Sequence, residues 1–258
     1  MKIFRFSRLY AILFGISLFI VLATSAQAQG GSAGGALNQL SMAFSGGKTV
    51  QAVQLSGSAT WYVGNLEDSG TVSMTASVDG SSTMQLILAT TGQRIESQTG
   101  SGLDMTYQWA GADGTPHRIA SGACWRPALW FLPSLSLQPL LQTGNVAVVD
   151  LGLGGVGSSS TIYRHIQSQL RFSGAPSLMT TDATLQSTTD IGLDPSSLLP
   201  AVLAYSVRPD DGSPTQIAIE VRYSEYHRVN GVQIPFHIER FVNRALQLDI
   251  LITAAQIN

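Results

Sequence analysis

From Val53 onward, apolar residues fall on alternate positions, and this period of two constrains the fold more than any other feature of the chain. Val53, Leu55, Ala59, Trp61 and Val63 form one set. Val72, Met74, Ala76 and Val78 form a second, Met84, Leu86 and Leu88 a third, and Leu103, Met105, Tyr107 and Trp109 a fourth. Successive side chains of a strand point to opposite faces, so this spacing makes strands with one buried face. Turn-forming residues separate the sets: Asn65 to Gly70, Asp79-Gly80, Thr91-Gly92 and Asp113-Gly114. Connections this short favour antiparallel neighbours.

The C-terminal part specifies a register. Ile217, Ile219, Val221 and Tyr223 share a face, and Asn230-Gly231 is a strong hairpin signal. Pairing Val229 with Val232 sets Tyr223 against Ile238 and Val221 against Arg240. On the other face it sets Arg222 against Glu239 and Ser224 against His237. A three-residue loop, Asn243-Arg244-Ala245, then sets Val242 against Leu246, Arg240 against Leu248, Ile238 against Ile250 and Phe236 against Ile252. One register so produces a three-stranded meander with an apolar side. Glu225 would stand on that side opposite Phe236, either paired with His227 or near the strand end in water, and is the acid of most interest.

Other stretches interrupt or extend the strands. Ala36 to Phe44 carries Leu37, Leu40 and Phe44 at helical spacing, and Gly46-Gly47 ends it. Asn145 to Leu151 and Ala201 to Val207 read as strands, the latter turned back by Asp210-Asp211-Gly212. Thr161 to Phe172 fits either a helix or a strand, and its polar alternate positions favour a strand. Ser173 to Thr189 is a Ser/Thr-rich loop or short helix. Cys124 to Leu141 breaks the alternation with Trp125, Leu129, Trp130, Phe131, Leu132 and Leu135. Pro127, Pro133 and Pro139 recur every six residues there. Proline suits the first turn of a helix, so this stretch reads as two short helical pieces starting near Pro127 and Pro133. The expected fold is mainly β (α+β): a curved antiparallel sheet or incomplete barrel, with short helices covering its concave face.

The first 28 residues read as a secretory signal. Lys2, Arg5 and Arg8 precede an apolar run from Leu9 to Ala23, and Ala26-Gln27-Ala28 supplies a small-x-small cleavage site. The run is short for a bilayer span of about 20 residues. Cleavage near Ala28 would leave a periplasmic or secreted product with no integral membrane span. Residues 29–35 form a flexible Gly-rich leader, and 36–258 one β domain. Those three cations are among 14 basic residues and no acid precedes Ala28, so cleavage takes the formal charge from −2 to −5. That balance disfavours a nucleic-acid partner. Cys124 is the sole cysteine, so no disulfide forms within the chain, and a small buried residue is its expected role.

No constellation of residues points to catalysis, a metal or a cofactor. Gly30-Gly31-Ser32-Ala33-Gly34 has the spacing of a nucleophile elbow but lacks the preceding strand that exposes the serine. Gly152-Leu153-Gly154-Gly155-Val156-Gly157 has the spacing of a dinucleotide fingerprint. A ribose-binding acid should follow about 20 residues later, yet no Asp or Glu lies between Asp150 and Asp182. In the hairpin register His227 and His237 point to opposite faces, so they cannot share a metal without a bulge. The expectation is a non-catalytic protein with no metal site and no cofactor.

What stands out is methionine and tryptophan on the apolar faces. Met74, Met84, Met105, Trp61 and Trp109 lie there, with Trp130 and Phe131 in the proline-punctuated segment. Methionine adapts its shape and recurs at apolar surfaces that accept varied partners. These seven residues are the candidate lining of an apolar cavity for an acyl chain, a lipoprotein or an apolar peptide. An ordinary sheet core is the alternative.

The layout resembles a known family. Asp194-Pro195-Ser196-Ser197-Leu198-Leu199-Pro200 precedes a strand. Tyr223-Ser224-Glu225-Tyr226-His227-Arg228-Val229-Asn230-Gly231-Val232-Gln233-Ile234-Pro235-Phe236 ends in an Asn-Gly-Val-x-Ile-Pro tail. With the order of elements, these stretches are similar to the periplasmic lipoprotein-carrier superfamily of LolA and LolB. The resemblance implies an incomplete barrel around an apolar cavity, helices as its lid, and binding of lipoprotein acyl chains or related amphiphiles. The functional expectation is a periplasmic binding or carrier protein for a lipidated or otherwise apolar ligand. An envelope interaction or structural domain with a filled core is the second reading.

Overall fold

The computed structural model describes residues 33–99, 106–118, 130–135, 146–170, 187–207 and 215–258. Helix α1 (Ala33–Ser45) leads into six strands: β1 (Ala52–Val63), β2 (Leu66–Ser77), β3 (Ser82–Leu88), β4 (Gly92–Thr99), β5 (Thr106–Ala110) and β6 (Pro116–Arg118). Seven more follow: β7 (Val146–Gly154), β8 (Tyr163–Leu170), β9 (Thr189–Leu193), β10 (Pro200–Val207), β11 (Ile217–Val229), β12 (Val232–Val242) and β13 (Ala245–Ile257). All thirteen belong to one sheet, in the order β6-β5-β4-β3-β2-β1-β13-β12-β11-β10-β9-β8-β7. Every neighbouring pair is antiparallel. The chain winds outward from β1 to one edge, reappears at the opposite edge, and winds back until β13 pairs with β1. The sheet is not closed into a barrel.

The first three alternating sets form the buried face, except that Trp61 and Val78 are half-buried and Val63, at the end of β1, is exposed. Val53, Leu55 and Ala59 of β1, Val72, Met74 and Ala76 of β2, and Met84, Leu86 and Leu88 of β3 are all buried. Ile219, Val221 and Tyr223 of β11, Ile234 and Ile238 of β12, and Leu248, Ile250 and Ile252 of β13 continue the same core. Leu37, Leu40 and Phe44 of α1 join that cluster, as do Trp130, Phe131, Leu132 and Leu135. The helix and the 130–135 segment therefore cover the inner face. Residues 133–135 take helical backbone, as expected for Pro133 at the start of a short helical piece. Helix α1 begins at Ala33, so Ala33, Gly34 and Gly35 of the expected leader join it. The signal segment, Cys124, Met105 and the Pro127 piece lie outside the described residues.

The register of the last three strands agrees with the sequence reading over most of its length. Val229 pairs with Val232, Tyr223 with Ile238, Val221 with Arg240 and Arg222 with Glu239. Arg240 meets Leu248 and Ile238 meets Ile250. The turn differs. Val242 pairs with Ala245, not Leu246, across a two-residue turn in which Asn243 (φ 49) and Arg244 (φ 70) are both left-handed. Such a turn matches the twist of the flanking strands. Asn243 is held by Ala218 of β11: its N–H donates to the Ala218 carbonyl and its Oδ1 accepts from the Ala218 N–H. The register shifts between Arg240 and Phe241, whose partners are Leu248 and Leu246, so Gln247 is the extra residue of a bulge. A tight turn plus a bulge restores the apolar register that a longer loop was expected to supply.

Two glycines make close backbone approaches. A Cβ at Gly57 would lie 2.0 Å from the Leu251 carbonyl oxygen, and one at Gly70 would lie 1.9 Å from that of Ile87. Gly57 also sits at a register shift between β1 and β13. Both positions let neighbouring strands coil more closely than any side chain would permit. Gly57→Ala is expected to lower stability by about 1–3 kcal/mol through this overpacking; urea unfolding of the variant against wild type measures it.

Candidate functional site on the inner face

One strand carries polar residues where the pattern of the others would place apolar ones. The buried-face positions of β4 are Arg94, Glu96 and Gln98, opposite Leu86, Met84 and Ser82 of β3. Glu96 is 5 % exposed. Its partner is Arg240 on β12, whose Nη1 lies 3.0 Å from Glu96 Oε2 and Nη2 3.3 Å from Oε1. In the sheet order β4 and β12 are five strand steps apart. On a flat sheet that is about 24 Å, at roughly 4.8 Å per step. A direct ion pair over that interval requires the sheet to curl, so the inner face is concave.

The pair is embedded in donors and aromatic rings. Arg94 Nε donates to Glu96 Oε1 at 3.0 Å, and the Tyr107 hydroxyl of β5 donates to Oε2 at 2.8 Å. Arg240 Nε donates to Gln247 Oε1, the bulge residue, at 3.0 Å. The Arg94 guanidinium sits 4.9 Å from the ring centre of Trp61 and 4.6 Å from that of Trp109. Arg240 lies 4.6 Å from the ring centre of Trp130 and 5.5 Å from that of Trp61. Trp109 stacks on His117 of β6 with ring centres 4.2 Å apart. The Tyr223 hydroxyl donates to the Trp130 carbonyl, fastening the 130–135 segment to β11.

Burial alone would raise the Glu96 pKa; the guanidiniums of Arg240 and Arg94 outweigh it and bring the carboxyl down to about 2. Burial and the adjacent Glu96 carboxylate push the Tyr107 hydroxyl well above its ordinary range, so it stays a donor. Burial works against the Arg240 charge, but Glu96 more than offsets it and the guanidinium stays protonated. The cluster is an array of charges inside an apolar face, ionised down to the acid range.

The seven cavity residues expected from sequence divide into two groups. Met74, Met84 and Phe131 are fully buried in the core, and Trp130 is nearly so. Trp61 and Trp109 are half-buried and flank Arg94. Met105 lies outside the described residues. Sequence reading missed Arg94, Glu96 and Tyr107 as a site; the available signal was Arg94-x-Glu96 on alternate positions of a stretch between two strand sets.

Other polar groups lie elsewhere. A cleft of about 380 Å³ is lined by Ser158, Asp190, Tyr205, Ser206, Glu220 and Arg244, among others. Glu220 there accepts from the Ser158 N–H and hydroxyl and pairs with Arg222. Gly157 of the fingerprint-like stretch packs beside that carboxylate with φ 64, so the stretch serves as a strand end and turn. His237 Nε2 lies 2.8 Å from Asp249 Oδ1 and its Nδ1 3.3 Å from the Ser224 hydroxyl, across three adjacent strands. Ser224 is exposed, and none of the three lines the described cleft. Glu225 is exposed with φ 54, and His227 stacks on Phe236 with ring centres 4.4 Å apart. Among the described residues no group of three or more His, Cys, Asp or Glu is placed to hold a metal.

No protein-family model and no curated protein matches the chain. Solved structures do. A DUF1329 family protein from Desulfovibrio piger aligns at a TM-score of 0.54 and 12 % identity, covering 88 % of this chain and 92 % of that one. A LolA superfamily protein from Nitrosomonas europaea aligns at 0.52 and 10 % identity, covering 88 % and 94 %. A putative outer membrane lipoprotein-sorting protein domain from Vibrio parahaemolyticus aligns at 0.53 and 7 % identity, covering 88 % and 92 %. The chain has the LolA-like fold that its sequence resembles.

Arg240→Ala would strand Glu96 away from its principal counter-ion and is expected to cost about 3–5 kcal/mol, read by urea unfolding. The pH dependence follows from the lowered Glu96 pKa. Its stabilising contribution is complete above the ordinary carboxyl value of 4.5 and is lost as pH falls toward about 2. Glu96→Gln should flatten this acid limb of a stability–pH curve; an unchanged slope would show that the carboxylate contributes none of it.

Proposed function

We propose that this protein is a non-catalytic periplasmic binding or carrier protein for a lipidated or otherwise apolar ligand. The observation carrying this reading is the concave apolar face of an open sheet, covered by α1 and the Trp130–Leu135 segment. Sheets of this class normally bury such a face against another sheet or layer of helices. Here the described cover is one helix and one short segment, and Trp61, Trp109, Tyr205 and Phe236 on that face are only partly buried. The LolA-like fold supports the same reading. The ligand class is an acyl chain, a lipoprotein or an apolar peptide. Export follows from the N-terminal pattern, and among the described residues no helix is long and apolar enough to cross a membrane.

Protein purified from a bacterial periplasm, extracted into organic solvent and examined by mass spectrometry, should release a stoichiometric amphiphile. A lipid-free protein whose tryptophan fluorescence is unchanged by added fatty acid would refute the carrier reading. The N-terminus of the same preparation is expected at Gln29 by mass spectrometry of the intact chain; a start at Met1 would refute signal cleavage.

One observation favours a second reading, an envelope interaction domain. Edge strand β7 presents Val149, Leu151 and Leu153 to solvent, and Ile162 lies exposed just before β8. Exposed apolar residues on an open edge invite a partner chain. Cross-linking through β7 in cells, with no lipid recovered, would favour it.

A further inference from the structure

The charge array on the concave face is not internally balanced. Arg94 and Arg240 are two cations, and Glu96 is the one carboxylate hydrogen-bonded to either among the described residues. Among the described residues of the array one positive charge is in excess. The two guanidiniums are also used differently. Arg240 is buried and spends Nε, Nη1 and Nη2 on Gln247 and Glu96. Arg94 spends only Nε, on Glu96, and its Nη1 and Nη2 meet no acceptor among the described residues. Its side chain is 28 % exposed, so the free end of the fork is reachable.

That free end is held in place. Trp61 and Trp109 approach the guanidinium within cation–π range, and Nε is tethered to a carboxylate that is itself fixed by Arg240 and Tyr107. A planar fork whose two terminal nitrogens have no acceptor among the described residues, held by its Nε tether and the two rings, matches the geometry of a carboxylate or a phosphate. The surrounding face is apolar, where a charge-assisted hydrogen bond is stronger than in water.

We propose that Arg94 is the headgroup anchor of the apolar site, and that the ligand is an amphiphile with an anionic oxyanion head. This rests on the carrier reading above. The acyl tail would lie along the concave face, while the head pairs with Nη1 and Nη2 between the two indoles. Excess positive charge then disfavours cationic heads and leaves neutral ones without their strongest contact. A charge-assisted pair of this kind corresponds to about tenfold to a hundredfold in affinity.

Three probes with the same oleoyl tail test this: oleate, oleoyl lysophosphatidic acid and neutral monoolein. Each is titrated below its critical micelle concentration, at a pH where both acids are ionised, with tryptophan fluorescence as the readout. At least one anionic probe should bind about tenfold or more tightly than monoolein, and which one does so identifies carboxylate or phosphate as the head. Arg94→Gln should abolish that preference, read as the ratio of anionic-probe to monoolein affinity within the variant. Arg94→Lys, which keeps the charge but loses the fork, should retain part of it. Equal affinities for all three probes in wild type would overturn the headgroup assignment and leave the carrier reading standing. Binding of none would overturn both. A preference that survives intact in Arg94→Gln would place the anion elsewhere and overturn the assignment.

Discussion

The pairing of Glu96 with Arg240 is the constraint around which the rest of the structure is arranged. Two groups five strands apart touch only if the sheet bends back over itself. The close approaches at Gly57 and Gly70 permit that coiling, and the Gln247 bulge turns a side chain toward Arg240 as its third partner. Burying such a pair is expensive, and a well-packed apolar pair of equal volume is often as stable. Its value lies in geometry. Apolar side chains slide past one another, whereas a fork paired with a carboxylate accepts one spacing and one orientation.

Around this array the inner face is made of parts with different mobility of purpose. Met74, Met84 and Phe131 fill the core and set its volume. Trp61 and Trp109 stand at its margin, partly open, with a charged group between them. The 130–135 segment is tied on by a hydrogen bond from Tyr223 and by the stacking of Arg240 under Trp130. The same guanidinium therefore holds both the curl of the sheet and part of its cover. A ligand that disturbs Arg240 would be felt in both.

Much of this fold was legible in the sequence because apolar alternation reports directly on which face is buried. The β11–β13 register is legible as far as the last turn, since a slip by one would have turned Ile238 and Ile250 to solvent. The turn at Asn243-Arg244 is hidden because, although Asn243 favours left-handed backbone, Arg244 adopts it as well (φ 70), which its side chain does not advertise. Strand β4 escaped notice for a more instructive reason. Its inward positions are Arg94, Glu96 and Gln98, and a pattern search for apolar residues passes over them. Strand β9 was missed because it is only five residues long, with Gly192 wedged against Val202 and Tyr163. The site was hidden by the same logic as β4: its charges matter because they are inside, and only tertiary pairing puts them there.

The order of strands has a consequence for how the protein comes into being. The seam at the middle of the sheet joins the first strand to the last, and the Asn258 backbone exchanges hydrogen bonds with Ala52. A chain delivered from its N-terminus presents six strands early, with an apolar flank that has no partner until β13 arrives. Neither half can be completed alone, and the contacts that join them span almost the whole described length. Loop closure over such a distance makes folding slow. Pairing of strands so far apart in the chain makes the completed sheet a product of long-range contacts, formed only when both halves of the described chain are present.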